Sequence, residues 1–526
     1  LVKANSKSIE ARSSKKVSTR ANSFTQVPNN GSPKIPVLLV QYKDKKFKDA
    51  DPKATFEKFF AQGSTSAFQY FTDQSNGKFT PEFEIYGPVT LMGNRETYGG
   101  NDYWGNDKGL GKMVAESAIG LDGDIEFSDY DNDGDGECDV LIILYAGDGE
   151  ASSYDSDAEN SVWPCQWELS HSDYGKALTL DQTRVDKFAC FNELNGTNLK
   201  KIDGIGTFCH EFSHCLGLPD FYDTNYGPHF GMGPWSLMDY GSYNNDSYTP
   251  IGYSAYEKEF MGWIEIEEGV DNTLYNMPIF NSKNLEDDKA VKLTNPNNSK
   301  EYFIMENRQQ QGWDAYMPSQ GLMIYHVTYD ASAWNDNTVN NFNPQRMTPV
   351  PCDNSLKLDS YSYYGKTQYS INEADLLGDL WPYKGNNEFT NNSLPAQKLN
   401  TGASNYLGRP VTEITQNSDG TISFWLSKSA NPALDVPVFA DHEIHSATSA
   451  TIHWESGLEN DATFNLEVKE RSSNPSDIVS STIFNSMDVF GAGKWKYAGY
   501  VAIEDVNGTK AARFGSSNKV GIVTSP

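Results

Sequence analysis

Two histidines and two carboxylates are spaced so that together they could hold one metal ion and use it. His210 and His214 are four residues apart, so on a helix they lie one above the other on one face. Asp220 would add a carboxylate to these imidazoles, and the three form a common zinc ligand set. Gly217 predicts where the helix ends, because helices often stop on a left-handed glycine. Glu211 could then take a proton from a water at the open fourth position.

Two other carboxylates compete with Asp220 for the third ligand position. Asp223 follows it by three residues, and Glu257 lies on a predicted later helix, where glutamate-type zinc peptidases take their third ligand. The spacing after the glycine favours Asp220. The alternative without metal binding or catalysis is a helix whose two histidines are only packed and hydrogen-bonded. With eight histidines in 526 residues, the full pattern rarely arises by chance.

A second segment makes the pattern more specific. Ser236–Tyr240 has the SxMxY form of the methionine turn beneath the zinc of metzincin peptidases. Together with the HExxHxxGLPD run at 210–220 and the stretch Lys258–Trp263, it resembles the immune inhibitor A family of secreted metallopeptidases. The resemblance covers residues 33–428, and the other matching segments are Val37–Val40, Tyr70–Phe71, Ser75–Lys78, Trp313–Asp314 and Gly321–His326.

The resemblance implies a fold and an activity. The fold is α+β: a metzincin-like zinc-peptidase domain with a mixed twisted sheet and an active-site helix, followed by β-rich and β-sandwich modules. The activity is that of a secreted zinc endopeptidase, which hydrolyses extracellular proteins with a metal-activated water and with Glu211 as general base. Met238 is an apolar floor beneath the metal, and Tyr240 stabilises the developing oxyanion. For both residues the alternative is core packing beside Trp235.

Two further hypotheses remain open. The chain could be a noncatalytic surface adhesin with a peptidase-like domain, although the intact motif argues against this. It could also be latent until N-terminal residues that block its cleft are removed. Because the chain begins at Leu1 without a signal pattern, we expect that a signal peptide has been removed.

An acidic loop at residues 129–139 predicts a second metal site. It carries six acidic side chains in eleven residues, which would repel one another without a hard cation. The aspartates have the 1-3-5 spacing of a calcium loop, but position twelve is Ile142, so this is no EF-hand. The alternative is a solvated acidic turn. The expected ligands of this structural calcium are Asp131, Asp133, Asp135, Glu137 and Asp139.

Composition narrows the range of partners. A net charge of −29 argues against nucleic acid or an anionic membrane as the main partner. No apolar run approaches the roughly 20 residues that span a bilayer. The expected partner is a protein or peptide substrate, with surface or carbohydrate contact through the C-terminal β module. Six cysteines lack zinc spacing, and Cys165 and Cys190 lie in strand-like runs that could pair as a disulfide.

Changes in pattern along the chain predict four segments. Residues 1–32 are polar and basic, typical of a flexible leader or pro-segment remnant. Alternating strands and helices over 33–295 indicate the catalytic domain, with buried strands predicted at 35–41 and 140–145 and helices at 52–62 and 112–119. Residues 296–428 are mostly strand and turn, which predicts a β-rich module docked on the catalytic domain. They contain His326, which we expect to be structural. Residues 429–526 resemble a fibronectin type III domain or another β-sandwich.

Overall fold

The computed structural model describes residues 27–427, except 64, 104, 152, 154–155, 197–200, 283–287, 364–365 and 403–404. After residue 427 it describes only the backbone of six strands. Contacts group the chain into two units, Leu1–Ser427 and Lys428–Pro526. The predicted boundary at residue 295 lies inside the first unit, and the predicted domain limits stay predictions.

The first unit combines short helices with several sheets. Its helices are α1 (Pro52–Phe60), α2 (Ala67–Gln74), α3 (Arg95–Gly99), α4 (Leu110–Leu121), α5 (Ile205–Cys215), α6 (Ala255–Phe260) and α7 (Ala331–Asn335). Its first strands are β1 (Lys34–Gln41), β2 (Glu82–Thr90), β3 (Leu141–Asp148), β4 (Cys165–Glu168), β5 (Leu178–Leu180), β6 (Thr183–Val185), β7 (Lys187–Leu194), β8 (Glu267–Glu268) and β9 (Thr273–Met277). The remaining strands are β10 (Ala290–Asn295), β11 (Asn298–Arg308), β12 (Gly321–Thr328), β13 (Met347–Pro349), β14 (Leu358–Tyr363), β15 (Lys366–Ile371), β16 (Val411–Gln416) and β17 (Ile422–Leu426).

A five-stranded sheet organises the N-terminal half of this unit. Its order is β2-β1-β3-β7-β4, with the first four strands parallel and β4 antiparallel at the edge. Successive residues of strand β1 point to opposite faces of the sheet, and both sets of residues are apolar. Val37 and Leu39 enter one hydrophobic core, and Leu38 and Val40 enter the other. The predicted buried strands at 35–41 and 140–145 and helices at 52–62 and 112–119 are confirmed.

Helix α5 lies in the first of these cores. Phe208 and Phe212 stack with ring centroids 5.5 Å apart, and both are almost fully buried. Phe60 meets Phe208 edge-on at 5.0 Å, and Phe71 meets Phe212 at 5.2 Å. Aromatic rings of this size bury large apolar areas and interlock in few ways. The apolar face of the helix is therefore fixed, and its opposite face is held in a defined orientation.

Two antiparallel sheets and one hairpin form most of the C-terminal half. The sheets have the orders β13-β12-β11-β10-β8, in which only the β8–β10 pair is parallel, and β16-β17-β9. Strand β9 precedes the predicted boundary at residue 295, yet it pairs with β17, which lies far beyond it. Strands β14 and β15 pair only with each other in the described residues. In this half, His326 bonds to the buried Glu301 at 3.0 Å, in keeping with a structural role.

A fully buried ion network joins strand β11 to the segment before α6. Arg308 contacts Glu306 at 2.9 Å and Asp314 at 2.6 Å, and all three side chains are inaccessible to solvent. Its guanidinium also donates to the carbonyl of Gly252 at 3.0 Å. The two carboxylates in turn accept the backbone N–H groups of Gly252 and Ala255. Each buried charge therefore has both an opposite charge and hydrogen-bond partners.

The end of the predicted leader is packed rather than flexible. Val27 is fully buried and its N–H donates to the carbonyl of Cys215, the last residue of α5. The indole of Trp263 donates to the carbonyl of Asn29 at 2.8 Å. Residues 27–32 thus differ from the prediction, because their backbone polar groups find partners on the first unit. The rest of the leader lies outside the described residues.

The second unit is described by its strands alone: β18 (Val438–Ser446), β19 (Ser449–Glu455), β20 (Asn465–Arg471), β21 (Ile478–Asn485), β22 (Gly499–Val506) and β23 (Thr509–Ser516). They form an antiparallel sheet of order β18-β19-β23-β22 and the pair β20-β21. The predicted β-sandwich module stays a prediction. Within the described residues, every helix is too short or too polar to cross a bilayer.

Candidate metal centre and cleft

Helix α5 presents its polar face as the spacing predicts. His210 and His214 lie on one side with ring centroids 5.0 Å apart and planes at 89°. The helix ends directly after them, and Gly217 adopts a left-handed φ of 100°. Its N–H donates to the carbonyl of His214, and that of Leu218 donates to the carbonyl of Ser213. This turn satisfies the terminal carbonyls and redirects the chain towards Asp220.

Three possible metal ligands converge beyond this turn. Oδ1 of Asp220 lies 3.1 Å from Nε2 of His210 and 3.3 Å from Nε2 of His214. One ligand atom from each of the three residues falls within 4.8 Å of the others. All three residues are largely buried, and Asp220 is only 3% exposed. The predicted ligand set is therefore brought together in space.

Backbone carbonyls determine which nitrogen of each imidazole carries the proton. Nδ1 of His210 lies 2.9 Å from the carbonyl of Leu237, and Nδ1 of His214 lies 2.8 Å from that of Leu218. A carbonyl oxygen only accepts, so both Nδ1 atoms carry the proton. In a neutral ring, Nε2 then offers a lone pair towards Asp220. Such a carbonyl partner is the usual support of a metal-binding histidine.

The buried carboxylate of Asp220 favours the binding of a cation at this centre. Oδ1 of Asp220 is buried and makes no hydrogen bond of acceptable geometry, although two imidazole nitrogens face it. Burial acts to raise the pKa of Asp220, but the imidazoles of His214 and His210 outweigh it and hold that pKa well below its usual range. A buried carboxylate oxygen whose contacts lack hydrogen-bond geometry is costly. A cation bound to this oxygen and to both Nε2 atoms would remove that cost, so the residues fit a metal ion.

Glu211 lies beside this group without belonging to it. Its side chain is 6% exposed, and its carboxylate accepts the backbone N–H of Gln166 in the edge strand β4. Burial raises the pKa of Glu211 to about 8, and Asp220 adds to the shift while His210 opposes it. A carboxyl group with a raised pKa exchanges protons more readily near neutral pH. Its place and its pKa suit a proton carrier.

The segment that resembles a methionine turn contacts His210. Met238 is fully buried, and its N–H donates to the hydroxyl of Ser236 at 3.0 Å. The preceding residue, Leu237, supplies the carbonyl that orients His210. The hydroxyl of Ser236 donates to Glu257 at 2.6 Å. The turn is therefore bonded both to helix α5 and to α6.

The competing third ligands have other partners. Glu257 is fully buried in the capping box at the start of α6, where Ser254 donates its N–H to the carboxylate at 2.6 Å. Asp223 pairs with His229 at 2.5 Å. Of the three candidates, only Asp220 joins the histidine group in the part of the chain that the structure describes.

A cleft that contains His210 and Glu211 opens beside the centre. Its wall is mainly apolar and aromatic, formed by Tyr222, Phe230, Tyr240, Tyr243, Leu358 and Ile371. The charges on the wall are already matched: Asp223 pairs with His229, and Asp239 accepts three backbone N–H groups. Burial, with a smaller contribution from Asp239, raises the pKa of Tyr240 to about 12, so its hydroxyl stays protonated.

The hairpin β14–β15 forms one side of this cleft and was missed by the sequence prediction. Leu358 and the run from Gln368 to Ile371 face the same space as His210. These residues lie about 150 positions after the histidines, and no local motif marks them. The cleft tyrosines Tyr222, Tyr226 and Tyr243 lie closer to the histidines in sequence, but they were also missed because no motif marks them.

Comparison with known proteins identifies this region. Residues 37–264 match the sequence model of the immune inhibitor A peptidase M6 catalytic domain. These residues belong to the immune inhibitor A family of metallopeptidases. The match includes α5, Asp220 and the turn at 236–240, whereas the hairpin β14–β15 lies outside it.

Two kinds of relatives agree with this family. The chain is 27% identical over 348 residues to immune inhibitor A of Bacillus thuringiensis subsp. alesti, covering 56% of this chain and 49% of that protein. It is 26% identical over 265 residues to the pre-pro-metalloprotease PrtV of Vibrio cholerae serotype O1 (strain M66-2), covering 43% of this chain and 28% of that protein. The chain thus spans half or less of the length of these relatives.

The acidic loop of the peptidase domain gathers only some of its predicted calcium ligands. Asp131, Asp133 and Asp139 bring carboxylate oxygens within 4.8 Å of one another. Burial raises the pKa of Asp139 to about 7. Glu137 instead pairs with Arg184 at 3.0 Å and with Lys187, and Asp135 accepts the N–H of Glu137. Glu137 and Asp135 therefore lie outside this group, and their predicted role as calcium ligands stays a prediction.

Two cysteines of the peptidase domain face each other across β4 and β7. Cys165 and Cys190 are directly paired in the register, with sulfur atoms 3.8 Å apart. Both are thiols in this structure. Neighbouring strands place Cβ atoms at a separation that a disulfide can span. The predicted pairing is sterically accessible and stays a prediction.

Proposed function

We propose that the chain is a secreted, metzincin-type zinc endopeptidase that hydrolyses extracellular proteins. The observation that carries the proposal is the convergence of Oδ1 of Asp220 with Nε2 of His210 and Nε2 of His214, at 3.1 Å and 3.3 Å. Two imidazole nitrogens and one carboxylate oxygen suit zinc and leave a fourth position for water or substrate. The membership of residues 37–264 in a metallopeptidase family supports the same assignment.

In the proposed reaction, Glu211, Tyr240 and strand β4 have separate roles beside the metal ligands. Bound zinc supplies Lewis acidity for the attacking water and for the scissile carbonyl. Glu211 accepts a proton from the water and returns it to the leaving amine. Tyr240 keeps its proton and can donate a hydrogen bond to the oxyanion. Strand β4 ends the sheet beside Glu211, so an extended substrate can add to this edge.

The cleft wall favours a particular kind of substrate residue. Its aromatic and aliphatic side chains offer no unmatched charge to a substrate side chain. A charged side chain would lose its hydration there without gaining a partner. We therefore expect cleavage next to bulky, uncharged residues, with Ile371 and Leu358 of the hairpin contributing to that preference.

One experiment tests both the activity and the preference. The zinc-loaded full chain, before and after limited N-terminal trimming, is incubated with a peptide library, and the products are identified by mass spectrometry. We expect internal cleavage next to bulky, uncharged residues, complete loss of cleavage with 1,10-phenanthroline, and recovery when zinc is added back. Cleavage that persists in the chelator would reject the metal mechanism. No cleavage by the zinc-loaded, trimmed chain would favour the noncatalytic adhesin.

We also propose that Asp131, Asp133 and Asp139 bind a structural calcium ion. Their oxygens are of the type that calcium prefers, and a cation would relieve the repulsion among them. Calcium at 100 times its Kd should raise the free energy of unfolding of the zinc-loaded chain by about 2.7 kcal/mol. Urea unfolding in calcium and in EGTA measures the difference. Asp133→Asn should remove it, whereas Glu126→Gln, outside the group, should not. Equal stability in both buffers for the unaltered chain would contradict the proposal.

A further inference from the structure

Asn337 makes two hydrogen bonds to Asp220, the predicted third metal ligand. Its Nδ2 donates to Oδ2 of Asp220 at 2.6 Å, and its Oδ1 accepts the backbone N–H of Asp220 at 2.7 Å. A carboxamide can do both because it carries a donor and an acceptor. The bond to Oδ2 limits rotation of the carboxylate and leaves Oδ1 turned towards the two imidazoles.

The segment around Asn337 is itself firmly held. Asn337 has a left-handed φ of 51°, which asparagine tolerates better than most residues. Its carbonyl accepts the hydroxyl of Thr224 at 2.8 Å, and Oδ1 of Asn341 accepts the N–H of Thr224 at 2.8 Å. The fully buried Asn340 donates to the carbonyls of Phe221 and Met347. Residues 337–341 thus hold the loop at 220–224 in place through several hydrogen bonds.

We propose that Asn337 is a positioning residue for metal binding, acting through Asp220. The inference rests on the proposed function, since it requires Asp220 to be a ligand. Partners that orient a ligand typically contribute 10-fold to 100-fold in metal affinity. Asn337 lies 73 residues beyond the end of the matched catalytic domain at residue 264. The metal affinity of the peptidase domain therefore depends on a later part of the first unit.

Zinc affinity of full-chain variants tests this role. We compare the wild type with Asn337→Gly, which keeps the left-handed backbone free of strain and removes only the side chain. Asn341→Ala is the matched control, because it removes a contact to Thr224 and none to Asp220. The zinc Kd is measured on the apo proteins by competition with a chelator of known affinity, and apo stability is measured by urea unfolding.

We expect Asn337→Gly to weaken zinc binding by about 10-fold to 100-fold and Asn341→Ala to change it by less than about 3-fold. If Asn337→Gly binds zinc as the wild type does, the positioning role is overturned while the proposed function stands. It is also overturned if Asn341→Ala weakens binding as much, since the effect would then come from general anchoring of the loop. A wild type that binds no zinc overturns the proposed function, and this inference with it.

Discussion

Glu211→Gln is expected to lower kcat for peptide cleavage strongly while zinc binding is retained. The amide has nearly the shape of the carboxylate, but it cannot take a proton from the attacking water. General acid–base catalysis of this kind contributes about 100-fold to 10,000-fold, so kcat should fall by that factor. Glu211 is not one of the three grouped ligands, so the metal should remain. Steady-state kinetics and zinc content of the same preparation measure both effects.

The control for this variant is Glu96→Gln, which makes the same chemical change at an exposed residue of α3. It should leave kcat and zinc content unchanged. Unaltered turnover in Glu211→Gln would contradict the proposed general base. Loss of zinc from that variant would show instead that Glu211 is itself a ligand.

Arg308→Met is expected to cause the largest loss of stability. The variant keeps the length of the side chain but leaves Glu306 and Asp314 buried without their shared cation. Removing one partner of a buried ion pair typically costs about 3–5 kcal/mol. Urea unfolding followed by circular dichroism should show that loss. Because Arg308 also bonds to Gly252, we expect the region before α6 to unfold together with strand β11.

Arg409→Met provides the comparison. Arg409 makes two ion pairs, with Glu268 and Asp271, but both of these carboxylates are about half exposed to water. Exposed pairs contribute about 1 kcal/mol or less. Equal losses from the two variants would show that the Arg308 network has no special role in joining the two halves of the first unit.

The parts of the centre that could be predicted from the sequence depend on local geometry. His210, Glu211 and His214 share one helical turn, and Asp220 follows a glycine stop, so their spacing alone implies that they meet. The buried strand β1 was predictable for a similar reason, because a run of apolar residues in a parallel sheet is buried on both faces.

The parts that could not be predicted depend on contacts between distant residues. Asn337 reaches Asp220 across 117 positions, and the hairpin β14–β15 reaches the cleft from further along the chain. Nothing in the composition of these segments marks them, since asparagine and mixed β residues are common in loops and hairpins. The sequence spacing of Glu137 fits a calcium loop, but it does not reveal the ion pair that Glu137 makes with Arg184 in the structure.

The candidate metal centre depends on segments that lie outside the matched domain at 37–264. Residues 37–264 contain all the candidate metal ligands that are grouped in the described part of the chain, yet Asn337 bonds to Asp220 and the hairpin lines the cleft. We therefore expect the catalytic properties to follow the whole first unit rather than the matched domain alone.

Anomalous scattering at the zinc edge, from crystals of the full chain soaked in zinc, tests the metal assignment most directly. We predict one strong peak at about 2.0–2.2 Å from Nε2 of His210, Nε2 of His214 and Oδ1 of Asp220. The absence of a peak there, or imidazole rings turned away from Asp220, would contradict the assignment of a zinc centre to this helix.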